Sequence, residues 1–566
     1  MIKPSHLLTV ALCMAATVAV LLAALSLRWP VVHDLPIMLY EGFLVHDAGL
    51  VPYRDFFEMN APGTVLLYSA IHQITAGAPL ACRILDLSVV AAIGVFTCLA
   101  LNRHGLRSGI LATACFTAAY LSAGPQESLQ REYLCVLPLA MSTALVFKTY
   151  RFDASRWFSL FLSGILAGVV LTIKPAMTLC WVPLIVKAAC FSRDDTSMEP
   201  RRLPLRLLKT AVPVFSGMLL PVALVAAWLS HNHALAPFLD MARHYYPLYA
   251  EIDGYGTVRS AGAVQFLKRY VVDTIALLQC PFSIVAFLGV TWGLSMTDRR
   301  LIEQKSILCA LALCALLYVP ICGKFWPYHR FPLYYGVSLC AAMTLSGGLS
   351  HHFKESRWQA IILCAAVAAS LPLASLGDEF VMWREGKTHE VKEGRVRVVS
   401  SYLRENATLS DTVMPLDVTS GAVHALYEVR RPLYGKFIYN FHFYHHTSTQ
   451  YTVNLRRDLI AQFRDGKPSI ILQFEAWRPH GEGCSKEFPE LDAILREDYV
   501  TVLQTKGASI LRRKTAGIRG VEETRKRGEI GDLAPHAFAG CDAPTPIAQG
   551  ALAPRYNRRD PGSPSR

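Results

Sequence analysis

The sequence predicts a polytopic α-helical membrane protein of about eleven transmembrane helices, with a small α/β domain after the last of them. Three observations carry this. Residues of the AVILMFWYC set make up 52% of the 566 residues and charged residues only 17%, against about 25% in ordinary soluble domains. Apolar runs of roughly bilayer-spanning length recur along the first two thirds of the chain. Basic residues gather in alternate loops between those runs, as they do on the inner side of a membrane. Whole-chain disorder is excluded, because too much apolar surface seeks burial. The net charge of +13 belongs to membrane topology here, since much of it sits in short loops and not on a soluble nucleic-acid-binding face.

The apolar runs lie near residues 7–27, 79–101, 108–123, 133–148, 157–173, 175–187, 210–230, 274–296, 306–321, 331–350 and 358–376, the fifth and sixth being short. The first reads as a retained anchor. Its apolar core exceeds the usual signal-peptide length, although Ala24-Leu25-Ser26 weakly resembles a processing site. With the N-terminus inside, the inner loops hold Arg103 and Arg107, then Lys148, Arg151 and Arg156, then the basic stretch 187–209 with Arg201 and Arg202, then Arg299, Arg300 and Lys305, and last Lys354 and Arg357. The outer loops hold most of the acids: Asp34, Glu41, Asp47, Asp55, Glu58, Glu127 and Glu132. An odd number of spans puts everything after about residue 377 outside.

Three domains follow: a transmembrane domain over 1–380 with a long first outer loop at 28–78, an outer α/β domain over 381–514, and a disordered basic tail over 515–566. In the second, residues 395–405 and 452–463 have helical apolar spacing, while 412–418, 469–474 and 499–511 alternate as strands, with a turn at Lys506-Gly507. The tail is rich in Arg, Pro and Gly and poor in aromatics. The 15 cysteines include no CxxC pair, so neither a disulfide scaffold nor a zinc knuckle is expected.

The first outer loop is more than a linker. Apolar spacing after Pro36 predicts a helix lying along the interface, and 64–74 a second. Asp34 and Glu41 are two helical turns apart and share one face. Asp34 is equally a helix N-cap ahead of Pro36; capping would leave the carboxylate ionised and fixed. Other outer-loop groups recur where spans meet the surface: Gln130-Arg131-Glu132-Tyr133, Lys174-Pro175, and Gly323-Lys324-Phe325-Trp326-Pro327-Tyr328-His329-Arg330. Each alone has a bland reading as a snorkelling cation or belt aromatic. Together on one membrane face, around a structured loop, they read as a site.

These segments resemble the GT-C glycosyltransferases, in particular bacterial relatives of the protein O-mannosyltransferases and lipid A aminoarabinose transferases. The likeness covers about residues 7–350, and YRDFF (53–57) and GKFWPYHR (323–330) are its most specific parts. It implies a transferase that takes a sugar from a polyprenyl-phosphate carrier with inversion, on the outer face of a bacterial inner membrane. By that resemblance Asp34 matches the general base on the acceptor and Glu132 a second acid. Lys174, His329 and Arg330 match donor-phosphate contacts. Many relatives have Lys-Pro-Pro where this chain has Met59-Asn60-Ala61-Pro62, so Arg54 or Lys324 is the substitute phosphate ligand to consider. Glu41, Asp55, Glu58 and Tyr328 complete the candidates.

The chemistry agrees with the placement. An attacking hydroxyl must lose its proton to a base, and a departing lipid phosphate needs cations in a low-dielectric pocket. No Rossmann fingerprint, P-loop or Asp-x-Asp motif is present, which disfavours a nucleotide-sugar donor. A divalent cation bridging Asp55 or Glu58 to phosphate stays open as a cofactor. The partners implied are a polyprenyl-phosphate sugar, a glycan, lipid or protein acceptor and membrane lipid, without nucleic acid. The alternative is a transporter or flippase of a lipid-linked or anionic substrate. Against it, the sequence lacks internal repeats and keeps its charges at one surface.

Overall fold

The computed structural model describes residues 3–148, 154–190, 203–252, 262–322, 324–347, 349, 356–389, 391–474, 485 and 487–514. Arg151, Arg201, Arg202 and Lys354 of the expected inner loops lie outside them, as does the expected tail 515–566. Residues Met1–Arg513 form one compact unit and Lys514–Arg566 a second.

The chain is a multi-pass helical protein. Among the described residues five helices are long and apolar enough to cross a membrane: Pro4–Ser26, Pro79–Ala100, Ser155–Ile173, Pro204–His231 and Arg299–Cys322. The other predicted spans fall on shorter or broken helical segments. The expected span 274–296 is interrupted, with Ala263–Gln279 and Ser283–Ser295 meeting at 79°. The break falls at Cys280-Pro281-Phe282, where proline denies the helix a donor and Phe282 takes a left-handed backbone. The span expected over 358–376 likewise ends at Ser370, and the chain turns by 48° into Leu373–Arg384 around Pro372.

A buried polar network that no loop charge announced pins this bundle together. Arg83 pairs with Asp86 one turn on and donates to Ser128 Oγ (2.7 Å) and Ser26 Oγ (2.9 Å). Asp86 also accepts from Tyr120 at 2.7 Å and Ser128 at 2.8 Å. Both charges are almost fully buried, and these added hydrogen bonds offset part of the cost of taking the pair out of water.

The first outer loop departs from the expectation of an interfacial helix. Leu35–His46 is apolar on nearly every side, and all its residues from Leu35 to Leu44 are buried. A helix apolar all round belongs inside protein, not on a lipid surface. Gly42 permits this: a side chain there would strike the backbone carbonyl of Tyr68 in the neighbouring helix Pro62–Thr75.

Beyond the bundle, a four-stranded sheet forms from β1 (Val413–Leu416), β2 (Ile470–Phe474), β3 (Tyr499–Thr505) and β4 (Ala508–Arg513) in the order β1-β2-β4-β3. β1 and β2 are parallel, and β4 runs antiparallel to both its neighbours. The predicted turn at Lys506-Gly507 joins β3 to β4, and helices Arg395–Asn406 and Gln450–Gly466 sit where the apolar spacing places them. This domain grips the first outer loop. Tyr40 donates to the Arg431 carbonyl (3.0 Å), the Phe57 amide donates to the Lys436 carbonyl (2.7 Å), and His72 Nδ1 meets the Tyr427 hydroxyl (2.8 Å).

Candidate functional site

Asp34 occupies the N-cap position of Leu35–His46, yet its side chain makes no capping bond. Its backbone carbonyl accepts from Ile37 and Met38, while the carboxylate faces outward from the helix and meets His33 Nδ1 at 3.3 Å. Asp34 thus holds the cap position without acting as a cap. The carboxylate is left to interact electrostatically with Arg131, Tyr328, Glu127 and Lys392, which come from three other segments of the chain.

Local geometry explains how each partner arrives. The long helix ending at Ile173 stops before Pro175, because proline disfavours helical backbone in the residue preceding it, and Lys174 adopts φ −141°, ψ 82°. Gly63 packs on Thr172, and Thr64 Oγ1 donates to the Ile173 carbonyl at 3.3 Å, so the first outer loop fixes that helix end. Pro327 opens the turn Pro327–Arg330, which delivers Tyr328 and His329 inward. Glu132, in the short helix Arg131–Leu134, is fully buried and gathers these groups. Its Oε1 lies 2.7 Å from Lys174 Nζ, 3.3 Å from His329 Nε2 and 3.4 Å from the Tyr318 hydroxyl.

Burial alone would raise the Glu132 carboxyl, but Lys174, His329 and Arg131 outweigh it and hold the group below the usual carboxylate range. Burial pushes His329 down to about 3, more than Glu132 opposes, so it serves as a neutral donor toward Glu132. Glu127 moves the other way. Burial, then the charges of Asp34 and Glu132, raise it to about 7 despite Arg330.

Arg131 joins this group to a second one. It donates to Asn60 Oδ1, and Asn60 in turn gives its amide and side-chain N–H to Glu58 Oε1 at 2.5 and 2.6 Å. Glu58 and Glu41 are both fully buried and close enough for their charges to interact, and Tyr439 donates to Glu41 at 3.2 Å. Burial and then the neighbouring Glu58 push the Glu41 carboxyl well up. Asn60 is thus the link between Arg131 and Glu58.

The structure therefore brings together Asp34, Glu41, Glu58, Glu132, Lys174, Tyr328 and His329. Lys324 stands near His329 but has its ammonium 3.4 Å from the Tyr249 ring centroid and 3.1 Å from the Tyr249 carbonyl. Arg330 faces Glu127 and Tyr334. Arg54 and Asp55 are occupied with each other. Arg54 spans both Asp55 oxygens at 2.8 and 2.7 Å and donates to the Asn232 carbonyl, while Asp55 also accepts from the Val51 amide. In this structure Arg54 and Asp55 therefore engage each other and not the group around Glu132. Among the described residues no three His, Cys, Asp or Glu are grouped to hold a metal ion. His442 and His446 are spoken for by the Tyr245 hydroxyl and the Leu248 carbonyl.

The described residues thus combine a helical membrane bundle, a structured first loop and a small α/β domain that clasps that loop. The solved structure of ArnT from Cupriavidus metallidurans bound to undecaprenyl phosphate shares this fold, with a TM-score of 0.52 at 12% identity, covering 89% of this chain and 98% of that one. The archaeal oligosaccharyltransferase AglB from Archaeoglobus fulgidus, in complex with an inhibitory peptide and a dolichol-phosphate, covers 89% of this chain and 74% of its own at 11% identity. Its TM-score is 0.45. No family model matches the chain, nor does any curated protein.

Proposed function

We propose that this protein is an integral membrane glycosyltransferase that moves a sugar from a polyprenyl-phosphate carrier to an envelope acceptor on the outer face of the bacterial inner membrane. The observation that carries this is the Asp34 carboxylate, freed from capping and set against Arg131, with Lys174 and His329 gathered nearby on one oxygen of Glu132. The match to ArnT, whose structure holds undecaprenyl phosphate, supports a carrier of that kind.

In this reading Asp34 takes the proton from an acceptor hydroxyl while its oxygen bonds to the anomeric carbon. The bond from that carbon to the phosphate oxygen breaks on the opposite side, which inverts the centre. The polyprenyl phosphate leaves with added negative charge, stabilised by Arg131 and Lys174, with Lys324 and Arg330 as outer cations. Lys174 keeps about a fifth of its side chain exposed while bound to Glu132, so it reaches a phosphate without losing its anchor. Glu132 is then a positioning residue for Lys174 and His329. Glu41 and Glu58 hold Arg131 through Asn60, and Tyr328 lines the same group. The transporter reading lacks comparable support, because the acid placed for proton abstraction has no task in it. Mass spectrometry of envelope glycans from cells with the protein, without it, and with Asp34→Asn tests the proposal. One sugar residue is lost in the last two; an unchanged profile in both refutes it.

A further inference from the structure

A second positive pole lies beside Asp34 and shares no residue with the Lys174, His329 and Arg131 group. A cavity of about 380 Å³ opens between the first outer loop, the turn Pro125–Glu127 and the chain entering the α/β domain. His33, Gln126, His389, Lys392 and Arg395 line it, and among the described residues no carboxylate does. That volume lies within the usual range for small-ligand sites, about 300–1,000 Å³.

Lys392 is the informative member. It is half-buried at the first residue of the turn Lys392–Gly394, with a left-handed backbone, φ +50°. Among the described residues its ammonium has no hydrogen bond and no ion pair. The carboxylates whose charge it feels are Asp417 and Asp34. Asp417 is already committed to the backbone amides of Val418, Ser420, Gly421 and Ala422 at 2.7–2.9 Å. Arg395 adds a repelling charge and is held against the same turn through the Lys392 carbonyl at 3.0 Å. His389 is aligned by Glu379 at 2.8 Å. Lys392 thus offers an ammonium with no carboxylate partner among the described residues, at the wall of a cavity lined by further basic groups, where an anionic ligand would complete it. The donor phosphate already has its own cations, so the anion expected here belongs to the other substrate.

We propose that this cavity is the acceptor subsite and takes a phosphate or carboxylate group of the acceptor, holding a hydroxyl of the same molecule beside Asp34. This rests on the transferase reading and deepens it. The anion stays bound to Lys392 and Arg395 while the neighbouring hydroxyl gives its proton to Asp34 and its oxygen to the anomeric carbon. The leaving group remains the polyprenyl phosphate.

The test uses full-length protein in detergent, first saturated with undecaprenyl phosphate so that the donor cations are occupied. Three probes are then titrated: dihexanoyl phosphatidic acid, its neutral twin dihexanoylglycerol, and inorganic phosphate. The proposal predicts that phosphatidic acid binds far better than the neutral twin, and that Lys392→Gln and Arg395→Gln each weaken it roughly ten- to hundredfold. Both variants should bind undecaprenyl phosphate as the wild type does, which also shows that they fold. Equal binding of the charged and neutral lipids by the wild type overturns the proposal without any variant. So does unchanged affinity in Lys392→Gln, or inorganic phosphate binding as tightly as the lipid, which would mark a free-anion site. Failure of the wild type to bind undecaprenyl phosphate refutes the donor reading instead, and is scored separately from the response to the three probes.

Discussion

Replacing Glu132 with Gln keeps the shape of the side chain and removes the charge on which Lys174 and His329 converge. At the observed 2.7 Å to Lys174, Coulomb's law with an effective dielectric near 20 gives roughly 6 kcal/mol of attraction. Desolvation cancels much of that, and breaking a buried pair by removing one partner costs about 3–5 kcal/mol. Lys174 is partly open to water and rehydrates, which lowers the expected cost to ~2–3 kcal/mol. The measurement is a double-mutant cycle of Glu132→Gln, Lys174→Met and the double variant, read as half-lives at elevated temperature in detergent. The double variant should lose less than the sum of the singles, with a coupling of ~1–3 kcal/mol. Carrier affinity separates the roles. Lys174→Met should weaken undecaprenyl phosphate roughly tenfold or more, whereas Glu132→Gln should keep most of the affinity and lose transfer rate. Effects that add to within about 0.5 kcal/mol would show that the two side chains do not act as a pair, and the reasoning would fail.

Three further outcomes follow from the same structure. Glu127 is raised to about 7 in the folded protein from about 4.3 unfolded. Its contribution to stability is therefore complete below about pH 4 and is lost as pH rises through 7; Glu127→Gln should flatten the fall in thermal half-life between pH 5.5 and 8, and an unchanged pH profile would contradict this. Gly42→Val forces a side chain into the Tyr68 carbonyl and should cost about 1–3 kcal/mol by overpacking, with transfer falling because Asp34 and Glu41 ride on that helix; wild-type rate and half-life would show the loop to be looser than described. Asp86→Ala strands the buried Arg83 and should cost about 3–5 kcal/mol, seen as lost expression of folded protein, while a normal yield and half-life would contradict the network.

The apolar helices, the gathering of acids and cations and the small α/β domain were legible because they are written in composition and periodicity. The strand pair joined at Lys506-Gly507 needed only alternation and a glycine. What escaped were contacts between segments far apart in the chain. Arg131 looked like a head-group anchor, and nothing local shows that it meets Asn60 or that Tyr439, almost four hundred residues beyond Glu41, donates to that acid. A charged Arg beside a charged Glu at the head of an apolar run was the one hint. The Arg83–Asp86 pair was visible as two charges inside a span, and three-residue spacing is the signal that should have paired them. Arg54 and Asp55 show the opposite case. Adjacent opposite charges in an otherwise distinctive segment invited a functional reading, while the geometry lets them satisfy each other.

The central claim is that the Asp34 carboxylate removes a proton during sugar transfer from a lipid phosphate. Purified protein supplied with a radiolabelled polyprenyl-phosphate sugar and a membrane-envelope extract as acceptor measures this directly, with wild type and Asp34→Asn compared for carrier binding and for transfer. Binding preserved in both, with transfer reduced at least a hundredfold in Asp34→Asn as expected of a lost general base (about 10²–10⁴), is the predicted result. Transfer by Asp34→Asn at the wild-type rate would contradict the account.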